Sequence, residues 1–447
     1  MSVGQKTVTF APKRQVEVGM TVTSQHVVVV GGGLIGLCSA YALVREGHRV
    51  TIVERDHLGA GAATGNAGEL TPQQVAPLAS ANTARDIVRG VFTRGSYLSI
   101  APLSLPRLAG FGLGFLRASG VKPSGRGAAA LAQFSAGILP SLYRMAADGI
   151  DISGGGEGFL MTDSNEATLV ASHAAYQRRA DLGWGVAPGP ILSGPELLRH
   201  EPALDPSVTG GYVLPGEFSL DPVTFVESLI AYLERVRDES GDVDVRTGLT
   251  AVRIGEGASI VCTDRAGIET RVTGDRLLIA AGAWTSPILR RSGIRSARVV
   301  AGNGYSFTVP VERMPRMLIH ANDLHCVAIP MHDRLRIVGM MEFGNDQTRL
   351  NRERLNVLTR AAASVVAGAD WANRTDEWVG ARPMTADGMP LIGPVPGRPE
   401  ILVAAGHNMH GLSLGPITGE TVADLISGRT TQIAGKRVDL GPFAVRR

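Results

Sequence analysis

Cysteine is scarce in this chain: Cys38, Cys262 and Cys326 are the only three in 447 residues. They lie far apart and form no C-x-x-C pair, which argues against a disulfide framework and a cysteine zinc site. A reducing cytoplasm fits that usage, with the thiols acting as small buried hydrophobes. An excess of one charge is also missing. Lys and Arg number 44 against 41 Asp and Glu, a formal net charge of +3, and no Lys/Arg-rich run occurs. Nucleic acid is therefore not an expected partner. No Ser–His–Asp or paired-carboxylate constellation can be found. The HxH-like and DxD-like spacings are scattered, so no metal site is expected. Nor is there an unbroken apolar run long enough to span a membrane. Residues 27–44 carry no charge, but three glycines break them and the strand half is too short. Glu17 and the lack of a small-residue cleavage pattern argue against a secretory signal.

What is present is an ordinary globular composition, 44% hydrophobic and 19% charged, at a length that suits two domains. The 56 glycines suit tight turns and close backbone approaches to a ligand. The chain is organised around residues 26–55. Val27 to Val30 is a β-branched apolar run, expected as a buried parallel strand. Gly31, Gly33 and Gly36 follow in G-x-G-x-x-G spacing, then a helical pattern from Leu34 to Glu46 that Gly47 ends. Val50 to Val53 is a second strand, and Glu54 stands at its end, 18 positions beyond Gly36. One glycine permits the turn, the next lets a pyrophosphate approach the backbone, and the third lets helix and strand pack. The helix N-terminus offers unpaired N–H groups to the phosphates. Glu54 accepts from ribose hydroxyls and disfavours a 2′-phosphate. The expected fold class is α/β, a Rossmann-like dinucleotide domain with a second domain built on an antiparallel or mixed sheet.

Further along, residues 1–24 read as a flexible leader. Residues 56–80 read as a long functional loop without helical or strand period. Residues 86–150 are helical in pattern, and the apolar piece 97–119 is interrupted by Pro102 and Pro106. It reads either as core or as a surface for a membrane or redox partner. Ser193 with Glu196 is a capping box. Asp221-Pro222 opens a helix to about Val236. Residues 276–284 form a buried strand ending at Gly282, a second place where backbone meets a cofactor. Strand-like segments over 299–343 predict an antiparallel sheet, 350–367 a helix, and Ile401–Ala404 a strand. A turn at 406–412 precedes a helix over 413–427.

Six motifs in this order, the glycine fingerprint with Glu54, GNAGELTP (65–72), GYSFTVP (304–310), LRIVGMMEF (335–343), ARPMTADGMPLIG (381–393) and AGHNMHGLSLGPITG (405–419), resemble the FAD-dependent amino-acid oxidoreductases of the D-amino-acid oxidase and glycine oxidase superfamily. The bacterial D-amino-acid dehydrogenase branch is the nearest, over roughly residues 25–430. The resemblance implies an FAD domain from 25–85, 221–290 and 372–431, a substrate domain from 86–220 and 291–371, and a tail at 432–447. It implies that Gly31, Gly33, Leu34, Ile35, Gly36, Glu54 and Arg55 hold the ADP half of FAD, with the adenine edge near Leu249. Asn66, Ala67 and Gly68 would lie along the isoalloxazine. Gly406, His407, Gly411 and Leu412 would line its pyrimidine side, with the next helix aimed at the ring. Arg382 would pair with the substrate carboxylate and Tyr305 would bond the same group or close the pocket. Where glycine oxidases carry a second arginine this chain has Met409, followed by His410. No residue matches the family's covalent flavin attachment sites, so FAD is expected without a covalent bond. The implied reaction is hydride transfer from Cα to flavin N5, giving a 2-keto acid and ammonia. The implied partners are an amino-acid substrate and a quinone or other electron-transfer partner, with a peripheral contact at the inner membrane face. Two rival readings stand: an oxygen-using oxidase of glycine, sarcosine or a proline derivative, and an FAD-binding scaffold or electron-transfer subunit.

Overall fold

A computed structural model of the chain describes residues 23–79, 96–154, 156–331, 333–344 and 348–446. All but the last two residues of the expected leader, and the start of the helical region at 86–95, lie outside the described residues.

The strands in chain order are β1 His26–Val30, β2 Arg49–Val53, β3 Glu69–Leu70, β4 Leu98–Ile100, β5 Gly156–Thr162, β6 Leu192–Ser193 and β7 Gly210–Ser219. They continue as β8 Val243–Arg246, β9 Thr250–Ile254, β10 Ser259–Thr263, β11 Glu269–Thr273, β12 Arg276–Ile279, β13 Val300–Val309 and β14 Leu318–Ala321. The last are β15 Cys326–Met331, β16 Arg334–Phe343, β17 Thr375–Met384, β18 Leu391–Val395, β19 Arg398–Ala405, β20 Gln432–Ile433 and β21 Lys436–Arg437. Four helices bear on the site: α1 Leu34–Arg45, α2 Leu105–Ala118, α3 Pro222–Ser240 and α4 Gly411–Ile426.

The first sheet has six strands in the order β18-β19-β12-β1-β2-β8, parallel except at the β18 edge. The four valines of β1 are buried at its centre, the place where β-branched side chains fill a two-faced parallel strand. On one face α1 packs against α4. A Cβ at Gly419 would stand 2.3 Å from the Cys38 carbonyl oxygen, so only glycine lets the two helices come this close. The three-stranded β11-β10-β9 sheet covers the other face through Ile254, Ile260 and Val272. All three cysteines are free and buried, as small hydrophobes.

The second sheet runs β17-β13-β16-β15-β14-β5-β7-β3, with β4 beside β16 and β6 beside β7. It is mostly antiparallel, with β14–β5 and β16–β4 parallel. The expected mixed sheet is therefore present, and the α/β class holds. Two of its strands, β3 and β17, come from stretches grouped by sequence with the dinucleotide domain. Backbone pairing to β7 and β13 recruits them.

Several local expectations change. The loop at 56–80 contains β3. Ser193 stands at a helix start but makes no side-chain cap bond. Asp221 does cap α3, accepting from the Val223 and Thr224 N–H groups, and that helix continues to Ser240, where Gly241 ends it at φ +73°. The 97–119 segment is divided: Leu98 is buried with Met341, Phe343 and Met384, and Tyr97, Ile100, Leu108 and Phe111 pack against that cluster, while the outer side of the helix is exposed. In α2 only Phe115 is buried, while Leu113 and Leu116 are about half exposed and the neighbouring Leu103 is 95% exposed. Its inner face, including Leu108 and Phe111, packs against that cluster and also lines a cavity. Among the described residues no helix is long and apolar enough to cross a membrane.

Candidate active site

A cavity of about 920 Å³ runs from the C-terminal ends of β1, β2 and β12 to the β13–β16–β17 region of the second sheet. This is the edge where an open α/β sheet binds ligands. The glycine turn lies at one part of its wall. Gly31 adopts φ +108°, which the strand-to-helix turn requires. A Cβ at Gly33 would meet nothing nearer than the Ala60 carbonyl oxygen at 3.9 Å, so the space before that backbone belongs to the cavity. A Cβ at Gly36 would stand 1.9 Å from the Gly31 carbonyl oxygen. Gly36 thus serves helix–strand packing and does not line the cavity. The N-terminus of α1 has no side-chain cap and no acid in its first turn, leaving its N–H groups for an anion.

Glu54 is held by two backbone N–H groups. Gly32 donates to Oε2 at 2.7 Å and Asp56 to Oε1 at 2.8 Å. Each carboxylate oxygen keeps a further acceptor site for a ribose hydroxyl. Arg55 packs over the Trp284 ring, 4.5 Å from its centroid. Leu249, Gly282, Leu34 and Ile35 also line the cavity; the Leu249 N–H is already taken by the Glu54 carbonyl.

The loop from Thr64 to Gly68 is tied down by the second sheet. Arg336 on β16 donates to the carbonyls of Thr64 and Asn66, and Ser306 on β13 donates to that of Gly65. Within the loop the Asn66 side chain bonds the Ala63 carbonyl and accepts from the Gly68 N–H. Asn66 and Ala67 face the cavity, whereas Gly68, at φ +67°, turns the chain into β3 outside it. Across the cavity the N-terminus of α4 arrives without a side-chain cap or a first-turn acid, and Gly411 and Leu412 line the wall. Gly406 supports that turn from behind, at φ +74°. His407 bonds Thr418 through Nε2, and its buried Nδ1 has no partner among the described residues. Burial, then His410, push His407 down to about 3, so it is neutral.

Arg382 on β17 is the cation of the second region. A Cβ at Gly304 would stand 2.3 Å from its guanidinium carbon, so the glycine of the GYSFTVP stretch is the space Arg382 occupies. One arm donates to the Met340 carbonyl at 2.6 Å. Met340 sits at φ +63°, where the β13–β16 pairing slips between Asn303 and Tyr305. The bulge re-aims a carbonyl at the arginine. Burial lowers Arg382 to about 10, with Glu69 pulling the other way. Glu69 on β3 is the matching anion. Burial raises it to about 7, and Arg382 opposes that rise. Its Oε1 lies 3.7 Å from His320 Nδ1, and both atoms lack a hydrogen-bond partner among the described residues.

Tyr305 is a correction. Its ring is fully buried, its hydroxyl donates to Glu342, and it does not line the cavity. The register of β13 turns it into the core behind Arg382. The aromatic walls include Tyr97, Trp378, Phe111 and Phe343. Glu69, His320, Tyr97 and Trp378 escaped the sequence reading. Glu69 alone carried a signal, as the one acid beyond Asp56 in a loop of small residues.

The cavity fits a flavin dinucleotide on three counts: open space before Gly33, two uncapped helix N-termini, and a clamped acid at the end of β2. Comparisons agree. The profile of the DAO family, FAD dependent oxidoreductase, matches residues 26–425. A D-amino acid dehydrogenase of Methylobacterium nodulans is 31% identical over 422 residues, covering 92% of this chain and 97% of that one. One from Cereibacter sphaeroides is 29% identical, covering 93% and 94%. The crystal structure of a glycine oxidase from Geobacillus kaustophilus superposes with a TM-score of 0.69 at 24% identity, over 95% of this chain and 99% of that one. The chain therefore belongs to the DAO family of FAD-dependent oxidoreductases, and FAD is its cofactor.

Proposed function

We propose that this enzyme oxidises an amino acid, a D-amino acid by preference, to the 2-keto acid and ammonia, and passes the electrons to a quinone-type acceptor. Arg382 carries the reading: a desolvated guanidinium with one backbone acceptor faces a cavity whose other walls are largely apolar. A planar fork in that setting matches a carboxylate. The names of the curated relatives point to the amino acid and its configuration. Bound FAD supplies the acceptor, N5, for the hydride leaving Cα.

The chain's own residues do the rest. Arg382 fixes the carboxylate and with it the direction of the Cα–H bond, so the step needs positioning more than a strong base. Asn66 and Ala67, Gly411 and Leu412 hold the isoalloxazine, and the α4 N-terminus favours negative charge there. Gly31, Gly33, Leu34, Ile35, Glu54, Arg55, Leu249 and Gly282 hold the ADP half. Attachment is non-covalent in this reading: no cysteine lines the cavity, and His407 and His410 are tied to Thr418 and the Ala76 backbone. Met409, half exposed in the wall, replaces a second carboxylate clamp with an apolar surface, which favours substrates larger than glycine. The exposed leucines around α2, beside the cavity, suit an apolar acceptor and a peripheral membrane contact.

The test is an anaerobic screen of the yellow protein against D- and L-amino acids, prolines and N-methyl amino acids. The flavin absorbance is expected to bleach with a D-amino acid. A protein that dithionite bleaches and no amino acid does would overturn the reading.

A further inference from the structure

Arg382 and Glu69 line the same cavity, and each is the main charge felt by the other. Yet they form no salt bridge with each other. Arg382 spends one arm on the Met340 carbonyl, and no donor among the described residues bonds either Glu69 oxygen. A cation and an anion that are both partly withdrawn from water and held apart, each with open valence, are matched by a molecule charged at both ends lying between them. The α-carboxylate and α-ammonium of an amino acid are such a pair, joined through one carbon. We propose that Glu69 is a catalytic residue, the group that binds the substrate ammonium beside the Arg382-bound carboxylate and takes its proton.

This inference rests on the amino-acid reading and assigns the other end of the same substrate. Hydride can leave Cα only when the nitrogen lone pair is free, so the ammonium must first lose a proton. One N–H bond breaks, one O–H bond forms on Glu69, and no electrons change hands. With its carboxyl near neutrality, Glu69 stands ionised in good part at pH 7 and accepts the proton without a large mismatch. The surroundings suit the exchange. His320 on β14 is held neutral by burial, lowered to about 4, and sets no second charge against Glu69. Glu217 on β7 and Tyr176 on the Glu166–Asp181 helix lie behind, both raised by burial, with Arg179 next to them. His410, lowered to about 4, is neutral in the wall.

The experiment follows anaerobic flavin reduction by the best neutral amino acid from pH 6 to 10 in the parent and in Glu69→Gln, which keeps the shape of the side chain. In the parent the rate falls below about pH 7, as Glu69 takes up a proton. In Glu69→Gln the rate at neutral pH drops ~10²-fold or more and climbs with pH until the free amine is neutral. The matching acid without an amine (propanoate, for alanine) binds the variant at least as well as the parent, read from the shift in flavin absorbance. Glu69→Asp retains part of the rate. An unaltered pH profile in Glu69→Gln, with the parent still bleached, overturns this inference alone. A loss confined to substrates with Lys- or Arg-like side chains assigns Glu69 to the side chain and overturns it as well. No bleaching of the parent by any amino acid removes the amino-acid reading and this inference together.

Discussion

Replacing Arg382 with alanine removes a charged fork from the cavity wall that Glu69 also lines. In the folded protein one arm is satisfied by the Met340 carbonyl, and the rest of the guanidinium faces the cavity. A charge-assisted bond to a carboxylate in such a place is worth ~1.5 to 3 kcal/mol. At 1.4 kcal/mol per decade, Arg382→Ala weakens substrate binding by ~10- to 100-fold. The limiting rate falls too, because the same bond aligns Cα–H. Arg382→Lys recovers only part, since a point charge does not reproduce the fork. The Met340 carbonyl loses its donor, a cost of ~1 to 3 kcal/mol, partly offset because a desolvated cation goes with it. The melting temperature therefore moves little. FAD content stays unchanged, for Arg382 touches none of the residues that hold the dinucleotide. Arg382 also holds Glu69 down, so its loss moves the Glu69 ionisation above about 7 and shifts the acid limb of the rate to higher pH. Stopped-flow flavin reduction over a range of substrate concentrations separates binding from rate. Unaltered binding and rate in Arg382→Ala would refute the carboxylate role and much of the amino-acid reading.

Gly33→Val is expected to fold and to be colourless, since its Cβ enters open cavity, whereas Gly36→Val fails to fold because its Cβ collides with the Gly31 carbonyl. Circular dichroism beside flavin absorbance checks both, and a yellow Gly33→Val would misplace the cofactor. Exchanging the exposed Leu103 and Leu113 for glutamate leaves reduction by substrate intact but slows reoxidation by a tailed quinone, with oxygen a slow acceptor throughout; rapid stoichiometric peroxide release would contradict this. His407 is held at about 3 against an ordinary 6.5. The unfolded chain therefore binds the proton first, and stability present above pH 6.5 is lost as pH falls toward 3. Urea unfolding at pH 7.5 and pH 5 should show a shallower acid loss in His407→Gln than in the parent.

The dinucleotide half of the cavity was legible because local sequence dictates it. A glycine spacing, a β-branched run and a terminal acid are bound together by a turn that no other sequence makes as well, and every partner lies within thirty or so residues. Arg382 was found by motif, but its setting was not. The bulge that turns the Met340 carbonyl toward it, and the glycine at 304 that leaves it room, depend on pairing among β13, β16 and β17. Tyr305 shows the limit from the other side. A period of two says which residues alternate and not which face is core, so one register decides between pocket and interior. Glu69 and His320 are 251 positions apart in sequence and 3.7 Å apart in space. Nothing local links them, because β3 and β14 meet only through β5 and β7. The α2 segment, open in the sequence between core and surface, is divided between the two for a related reason. Its inner side packs on Phe343 and borders the cavity while Leu113 and Leu116 stay exposed, and no local pattern tells the two faces apart. The chemistry in this fold thus sits where the two sheets meet, on side chains whose neighbours are set by strand order. Sequence reads the cofactor turn and Arg382; it takes the sheet to bring Glu69 to the same cavity.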